Sequence, residues 1–197
     1  MKSKNLYIIA GCNGAGKTTA SFTILPEILD CKEFVNADEI ARGLSPFQPE
    51  EVSFEAGRLM LNRIDELLEE EINFAFETTL STRSFKERIV TAQSKGYEVS
   101  LLFFWLNNPE LAIERVANRV TEGGHNIPKD VIIRRYERGI INLFAIYMPL
   151  VDEWMLIDNS KGMQKNIAVS KDRNNFIIHD LKKYEQIKKQ RKRFRAN

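Results

Sequence analysis

A chain of 197 residues and 22.8 kDa suits one domain, and its 43% apolar and 28% charged residues are those of an ordinary globular protein. This balance excludes a disordered chain, a collagen-like repeat and a disulfide scaffold, and no apolar run approaches the ~18 residues of a membrane span. The net charge of +2 is unevenly placed: residues 181–197 hold eight Lys or Arg and one Glu, which leaves residues 1–180 at −5.

The opening MKSKNLYIIAGCNG lacks the long apolar region and cleavage site of a secretory signal. The two cysteines, Cys12 and Cys31, fit a reducing compartment, so a cytoplasmic protein is expected. Strand-like and helix-like segments then alternate, which predicts a parallel sheet wrapped by helices. A strand is expected at 6–10 and a helix at 17–30, kinked near Pro26. The EFVNAD strand ends at Asp38, a short helix holds 39–44, and Pro46 and Pro49 make SPFQPE a loop. A helix over 50–71 follows, with Met60, Leu61, Ile64, Leu67 and Leu68 at helical spacing.

The third strand, INFAFETT, runs 72–79; a helix at 83–95 stops at Gly96, and YEVSLLFFWL is the fourth strand. Asn108 and Pro109 start a helix that reaches Thr121. GGHNIP interrupts, and a long helix continues to Met148, stopped by Pro149. WMLIDNS is the fifth strand, NIAVSK and NFIIHD form a hairpin at the end of the sheet, and a basic helix ends the chain. The expected architecture is an α/β, three-layer P-loop kinase-like domain over residues 1–180. It has five parallel strands, a helical lid at about 108–149, a C-terminal hairpin and a basic tail at 181–197.

GCNGAGKT, Gly11 to Thr18, fits G-x-x-x-x-G-K-[ST] without a mismatch, after an apolar strand and before a helix. Gly11, Gly14 and Gly16 let the backbone wrap a phosphate chain that side chains would obstruct. The backbone N–H groups from Asn13 through Ala15 to Thr19 then face an anion at a helix N-terminus. Lys17 is expected to reach the β- and γ-phosphates of ATP or GTP, and the Thr18 hydroxyl to bind Mg²⁺. Cys12 has no base near it in sequence and reads as a small loop residue.

A kinase also needs a base for its acceptor hydroxyl and arginines for the transferring phosphoryl group. Asp38 ends the second strand on the edge where ligands of open parallel sheets bind, and is a candidate base or an N-cap. Glu77 is a carboxylate in an apolar strand and needs a partner: a ligand, a metal-bound water or an arginine. Thr78, Thr79, Ser81 and Thr82 crowd the same edge. Arg115, Arg119, Arg134, Arg135 and Arg138 flank GGHNIP like the helices of a lid. His125 is a candidate contact to substrate, and Asp158 and Asn159 could line a nucleotide base.

Together, GCNGAGKTT, VNADEIARGLSP, FETTLSTRSF, the arginine-bearing segment with GGHNIP, and PLVDEWMLIDNS resemble the zeta toxin family of P-loop kinases over about residues 6–160. Zeta toxins use ATP or GTP to phosphorylate UDP-N-acetylglucosamine on a sugar hydroxyl. The resemblance implies Asp38 as catalytic base, Lys17 and Thr18 on nucleotide and Mg²⁺, and Glu77 with Thr79 on substrate. It implies Arg42 orienting the Asp38 loop, and Arg119 and Arg134 in the lid with Arg115 behind them. GGHNIP resembles a compact branch of predicted ATPases. No antitoxin segment is visible, so a neutralising antitoxin would be a separate protein. Two other readings stand beside this one. The KKQRKRFR tail, with Phe194 to stack on a base, suits a nucleic-acid-associated protein or polynucleotide kinase. The chain also suits a catalytically weak ATP-binding module. A solvated terminal helix is the simplest expectation for the tail.

Overall fold

The computed structural model describes residues 4–121, 123, 126–173 and 175–196. Strand β1 (Lys4–Gly11) leads into α1 (Lys17–Glu27), and β2 (Glu33–Val35) into α2 (Ala37–Leu44) and α3 (Ser53–Glu69). Next come β3 (Phe74–Thr78), α4 (Lys86–Ser94), β4 (Tyr97–Trp105), α5 (Pro109–Thr121) and α6 (Lys129–Asn142). A π-helical turn (Leu143–Tyr147) and α7 (Met148–Leu150) precede β5 (Glu153–Asp158), β6 (Lys165–Ser170), β7 (Phe176–Ile178) and α8 (Leu181–Ala196).

The sheet order is β2-β3-β1-β4-β5-β6-β7. The first five strands in that order are parallel, as expected. The hairpin continues the sheet at its end, as expected: β6 pairs antiparallel with β5 and β7 with β6, so the five parallel strands belong to a mixed seven-stranded sheet. Successive residues of a strand point to opposite faces. Ile8, Ile9 and Ala10 are all fully buried, as are Phe104 and Leu106 with Trp105 nearly so, which means both faces are covered at the carboxyl ends. Ile9 pairs with Glu77 and Ala10 with Thr78, so the end of β3 lies beside the loop that leaves β1.

Several boundaries differ from expectation. α1 ends at Glu27 with Pro26 inside its last turn, and the chain turns at Asp30 with φ 46°. β2 is only three residues long because Asn36 leaves the strand to cap α2, which places Asp38 in the first helical turn. Pro149 sits within α7, at the start of a new turn where proline is tolerated, instead of stopping the helix before it. The basic helix is docked, not solvated: Ile187 is fully buried, Tyr184 nearly so, and Phe194 meets the Tyr136 ring edge-on at 6.0 Å.

Candidate active site

The loop between β1 and α1 has Gly11, Gly14 and Gly16 at φ 143°, 75° and 82°. A Cβ on Gly11 would lie 2.4 Å from the backbone oxygen of Phe104, so only glycine fits. Gly16 precedes α1 without any side-chain cap, which leaves the helix's first N–H groups free for an anion. Lys17 is buried and donates to the Cys12 carbonyl at 3.0 Å. Burial pushes the Cys12 thiol up to about 11, so it stays protonated and unreactive.

Glu77 is the hub beside this loop. Its Oε1 lies 3.3 Å from Lys17 Nζ, and its Oε2 accepts from Thr18 Oγ1 at 2.7 Å and Asn36 Nδ2 at 3.1 Å. The partners of Glu77 belong to the start of α1 and to the cap of α2, and its side chain also lines the cavity that holds Asp38 and Thr79. Thr79, two residues on, is separated from that cluster, with its hydroxyl 2.9 Å from Ser81 Oγ. Thr19 is exposed on α1.

The carboxylate of Asp38 is exposed and has no hydrogen-bond or ion-pair partner among the described residues. The helix cap is instead Asn36, whose Oδ1 accepts the Asp38 N–H at 2.9 Å. Asp38 lines a cavity of about 500 Å³ that also holds Lys17, Glu77, Thr79 and Arg135, with Phe54, Met60 and Phe85 on its apolar wall. A smaller cavity of about 250 Å³ shares Asp38 and Arg135 and adds Arg42 and Arg119. Arg42 Nη1 donates to both Glu39 carboxylate oxygens at 2.9 Å, so it braces α2 along one side of Asp38. The Nε of Arg119 is buried with no hydrogen-bond partner among the described residues.

The arginines sort differently from the expectation. Arg134 is exposed and lines neither cavity. Arg135, one residue or 100° further round α6, lines both and donates to Asn13 Oδ1 at 3.2 Å. Arg115 donates to the Asn159 carbonyl at 2.9 Å, with Gly14 and Ser160 oxygens at 3.4 and 3.3 Å, so it ties the phosphate loop to the end of β5. Asp158 is buried, 2.7 Å from Lys183 Nζ, and accepts from Ser160, so its carboxylate is engaged within the fold. Its neighbour Asn159 takes the loop-facing position and donates to the Ala15 carbonyl at 2.8 Å. His125 lies outside the described residues.

Sequence reasoning missed Asn36 and passed over Arg135 in favour of its neighbour. Asn36 was readable as the residue before an acidic first turn, the usual place of a helix cap. The choice between Arg134 and Arg135 depends on the rotation of α6 against the sheet, which adjacent arginines do not reveal. For Mg²⁺, the donor set fits: the Thr18 hydroxyl and the Glu77 carboxylate are hard oxygen ligands 2.7 Å apart, and Mg²⁺ takes one or two protein groups with phosphates and water. Among the described residues there is no group of three or more His, Cys, Asp or Glu that would bind a metal by itself.

A mixed sheet with five parallel strands, a glycine loop feeding a helix from one of them, and a carboxylate sharing a cavity with that loop's lysine define a nucleotide-binding P-loop protein of the kinase type. The sequence matches the zeta toxin family over residues 1–150, and the chain belongs to that family. An uncharacterized protein of Haemophilus influenzae is 33% identical over 138 residues, 69% of this chain and 94% of that protein. The fold is similar to the AvrRxo1-ORF1:ORF2 structure with ATP, at a TM-score of 0.76 and 18% identity over 94% of this chain. This chain spans 63% of that protein's length. It is also similar to the PezAT chromosomal toxin–antitoxin system of Streptococcus pneumoniae, at 0.69 and 18% identity over 100% of this chain and 88% of that one. Among the described residues, no helix is long and apolar enough to cross a membrane.

Proposed function

We propose that the protein is a phosphotransferase that moves the γ-phosphoryl group of ATP or GTP to a hydroxyl of a small molecule. The observation that carries this reading is the placement of an unpartnered Asp38 carboxylate in one cavity with Lys17 of the phosphate loop. The loop N–H groups bind the β- and γ-phosphates, with Lys17 as their counter-charge. Thr18 and Glu77 would hold Mg²⁺, which when bound neutralises charge between the β- and γ-phosphates. Asp38 accepts the acceptor's hydroxyl proton as the new O–P bond forms and the bond to the β-phosphate oxygen breaks. Arg135 from α6 and Arg119 from α5 supply forked positive charge to the transferring group. Thr79, with Ser81 and Thr82, lines the acceptor side and offers hydroxyls to a polar substrate.

UDP-N-acetylglucosamine is the first acceptor to test, on the family's chemistry, and a separate antitoxin is the first protein partner to seek. The protein is incubated with γ-labelled ATP, Mg²⁺ and either UDP-N-acetylglucosamine or a cell metabolite extract, and the labelled product is identified. A labelled sugar nucleotide supports the finer reading, and another labelled hydroxyl compound keeps the kinase and replaces the acceptor. Nucleotide binding with no labelled product from either source makes it an ATP-binding module.

A further inference from the structure

The phosphate site makes no use of the cations on the outer side of α8. At 100° per residue, Tyr184, Ile187, Arg191 and Phe194 share the docked side of this helix. Arg191 covers the Phe144 ring at 5.4 Å, and Phe194 meets Tyr136. Lys182, Lys189 and Arg193 form a stripe on the opposite side, Lys192 is exposed about 80° round from its middle, and Arg195 is exposed in the last turn, toward the docked side. None of these five has a hydrogen-bond or ion-pair partner among the described residues. Lys183 and Lys188 are different, being engaged by Asp158, Asp180 and Glu185. The five free cations extend over about 20 Å of helix axis. Arg134 and Arg138 add two exposed charges on α6, the helix against which α8 packs.

The composition of this face selects its partner. A protein interface needs apolar or aromatic anchors at its centre and is poor in lysine. On α8 the exposed large apolar side chain among the described residues is Leu181, at the first position. A single-strand platform needs an aromatic face for bases, and Phe194 is turned inward. Four unpaired cations on the outer arc, without anchors or stacking rings, match a row of phosphates. We propose that the outer face of α8 binds the phosphate backbone of double-stranded nucleic acid without reading its sequence. This is independent of the kinase reading, since none of the five residues lines either cavity.

The test is fluorescence anisotropy with a labelled random duplex of about 20 base pairs, titrated with the full chain from about 50 to 200 mM KCl. Four phosphate contacts, by Lys182, Lys189, Lys192 and Arg193, predict a slope of log affinity against log salt of about −3.6. In K182Q/K189Q/R193Q the slope should fall by about 2.7 and affinity at low salt at least about tenfold. Melting temperature and ATP affinity should match the parent protein. The single variant K189Q, with about one third of that slope change, serves if the triple variant misfolds. No duplex binding at about 50 mM KCl, or an unchanged slope in the variants, overturns the proposal. Polyglutamate of matched charge displaces counterions from the same cations, so it is the competitor that identifies an acidic protein partner. If it binds as tightly as the duplex, the nucleic-acid assignment is wrong.

Discussion

Glu77 and Lys17 are both buried, and each leaves the other exposed to a large penalty if it is removed alone. Taking one partner from a buried ion pair typically costs about 3–5 kcal/mol, because the remaining charge has no water to replace it. Glu77→Ala is therefore expected to lower the melting temperature sharply, since it also strips Thr18 and Asn36 of their acceptor. Glu77→Gln keeps the shape and an acceptor oxygen, and should melt closer to the parent while binding Mg-ATP less tightly. Equal melting of the Ala variant and the parent would show that the hub is not structural. Asp38 is the opposite case, a carboxylate with nothing to stabilise in the fold. Asp38→Asn should leave melting and ATP affinity near parental and reduce transfer by about 10²–10⁴, the usual contribution of a positioned base. The readout is labelled product from the acceptor that the extract experiment identifies, and full transfer by the variant would move the base to another residue.

At the scale of elements, the rotation of α6 decides which arginine faces the cavities. Arg135→Lys keeps charge but loses the planar fork that reaches Asn13 and both cavities, so turnover should fall more than nucleotide affinity. Arg134→Lys should change neither, and steady-state kinetics on the pair tests the assignment directly. The same helix crosses β3 closely at Gly139, where an added Cβ would lie 2.6 Å from the Thr79 carbonyl. Backbone on both sides cannot give way, and overpacking of this kind costs about 1–3 kcal/mol. Gly139→Ala should lower thermal stability and disturb Thr79, read by melting and by acceptor KM. These two residues show where legibility ends. The phosphate loop was readable because local sequence dictates it: three glycines, a lysine and a threonine at fixed spacing between a strand and a helix. The parallel sheet was readable from the alternation of strand-like and helix-like segments, but the order of its strands was not. Which side of α6 faces the sheet, and why a glycine stands in its middle, depends on packing partners about 60 residues away. The tail misled for the same reason, since four inward residues at 184, 187, 191 and 194 are outnumbered by charges in any linear reading.

Across the whole molecule, α8 reaches back to the nucleotide loop through the end of β5. Lys183 holds Asp158, the adjacent Asn159 holds the Ala15 carbonyl, and Arg115 joins Asn159 to Gly14. The last helix thus supports the first loop. This linkage has a pH signature. Burial alone would raise the Asp158 carboxyl, but Lys183 and the Ser160 hydroxyl and N–H outweigh it and hold it below its ordinary 3.8. A depressed folded value means that the contribution to stability is complete above the unfolded value and is lost as pH falls through the folded one. Lys183 is shifted up from 10.5 by its bond to Asp158, so its share persists through neutrality and fails only in strong base. Asp152, lowered despite its burial by Val99 N–H, Gln93 and Arg173, adds to the acid limb. Melting temperature should therefore hold from neutral pH down to about 5 and fall steeply below about 4. In Asp158→Asn the neutral-pH melting temperature should drop and the acid limb should flatten, because the group that titrates there is gone. ATP affinity at neutral pH should weaken in the same variant, whereas Lys183→Arg, which preserves the ion pair, should retain it. An Asp158→Asn protein with a parental acid limb and parental ATP affinity would break the proposed connection between the C-terminal helix and the phosphate loop.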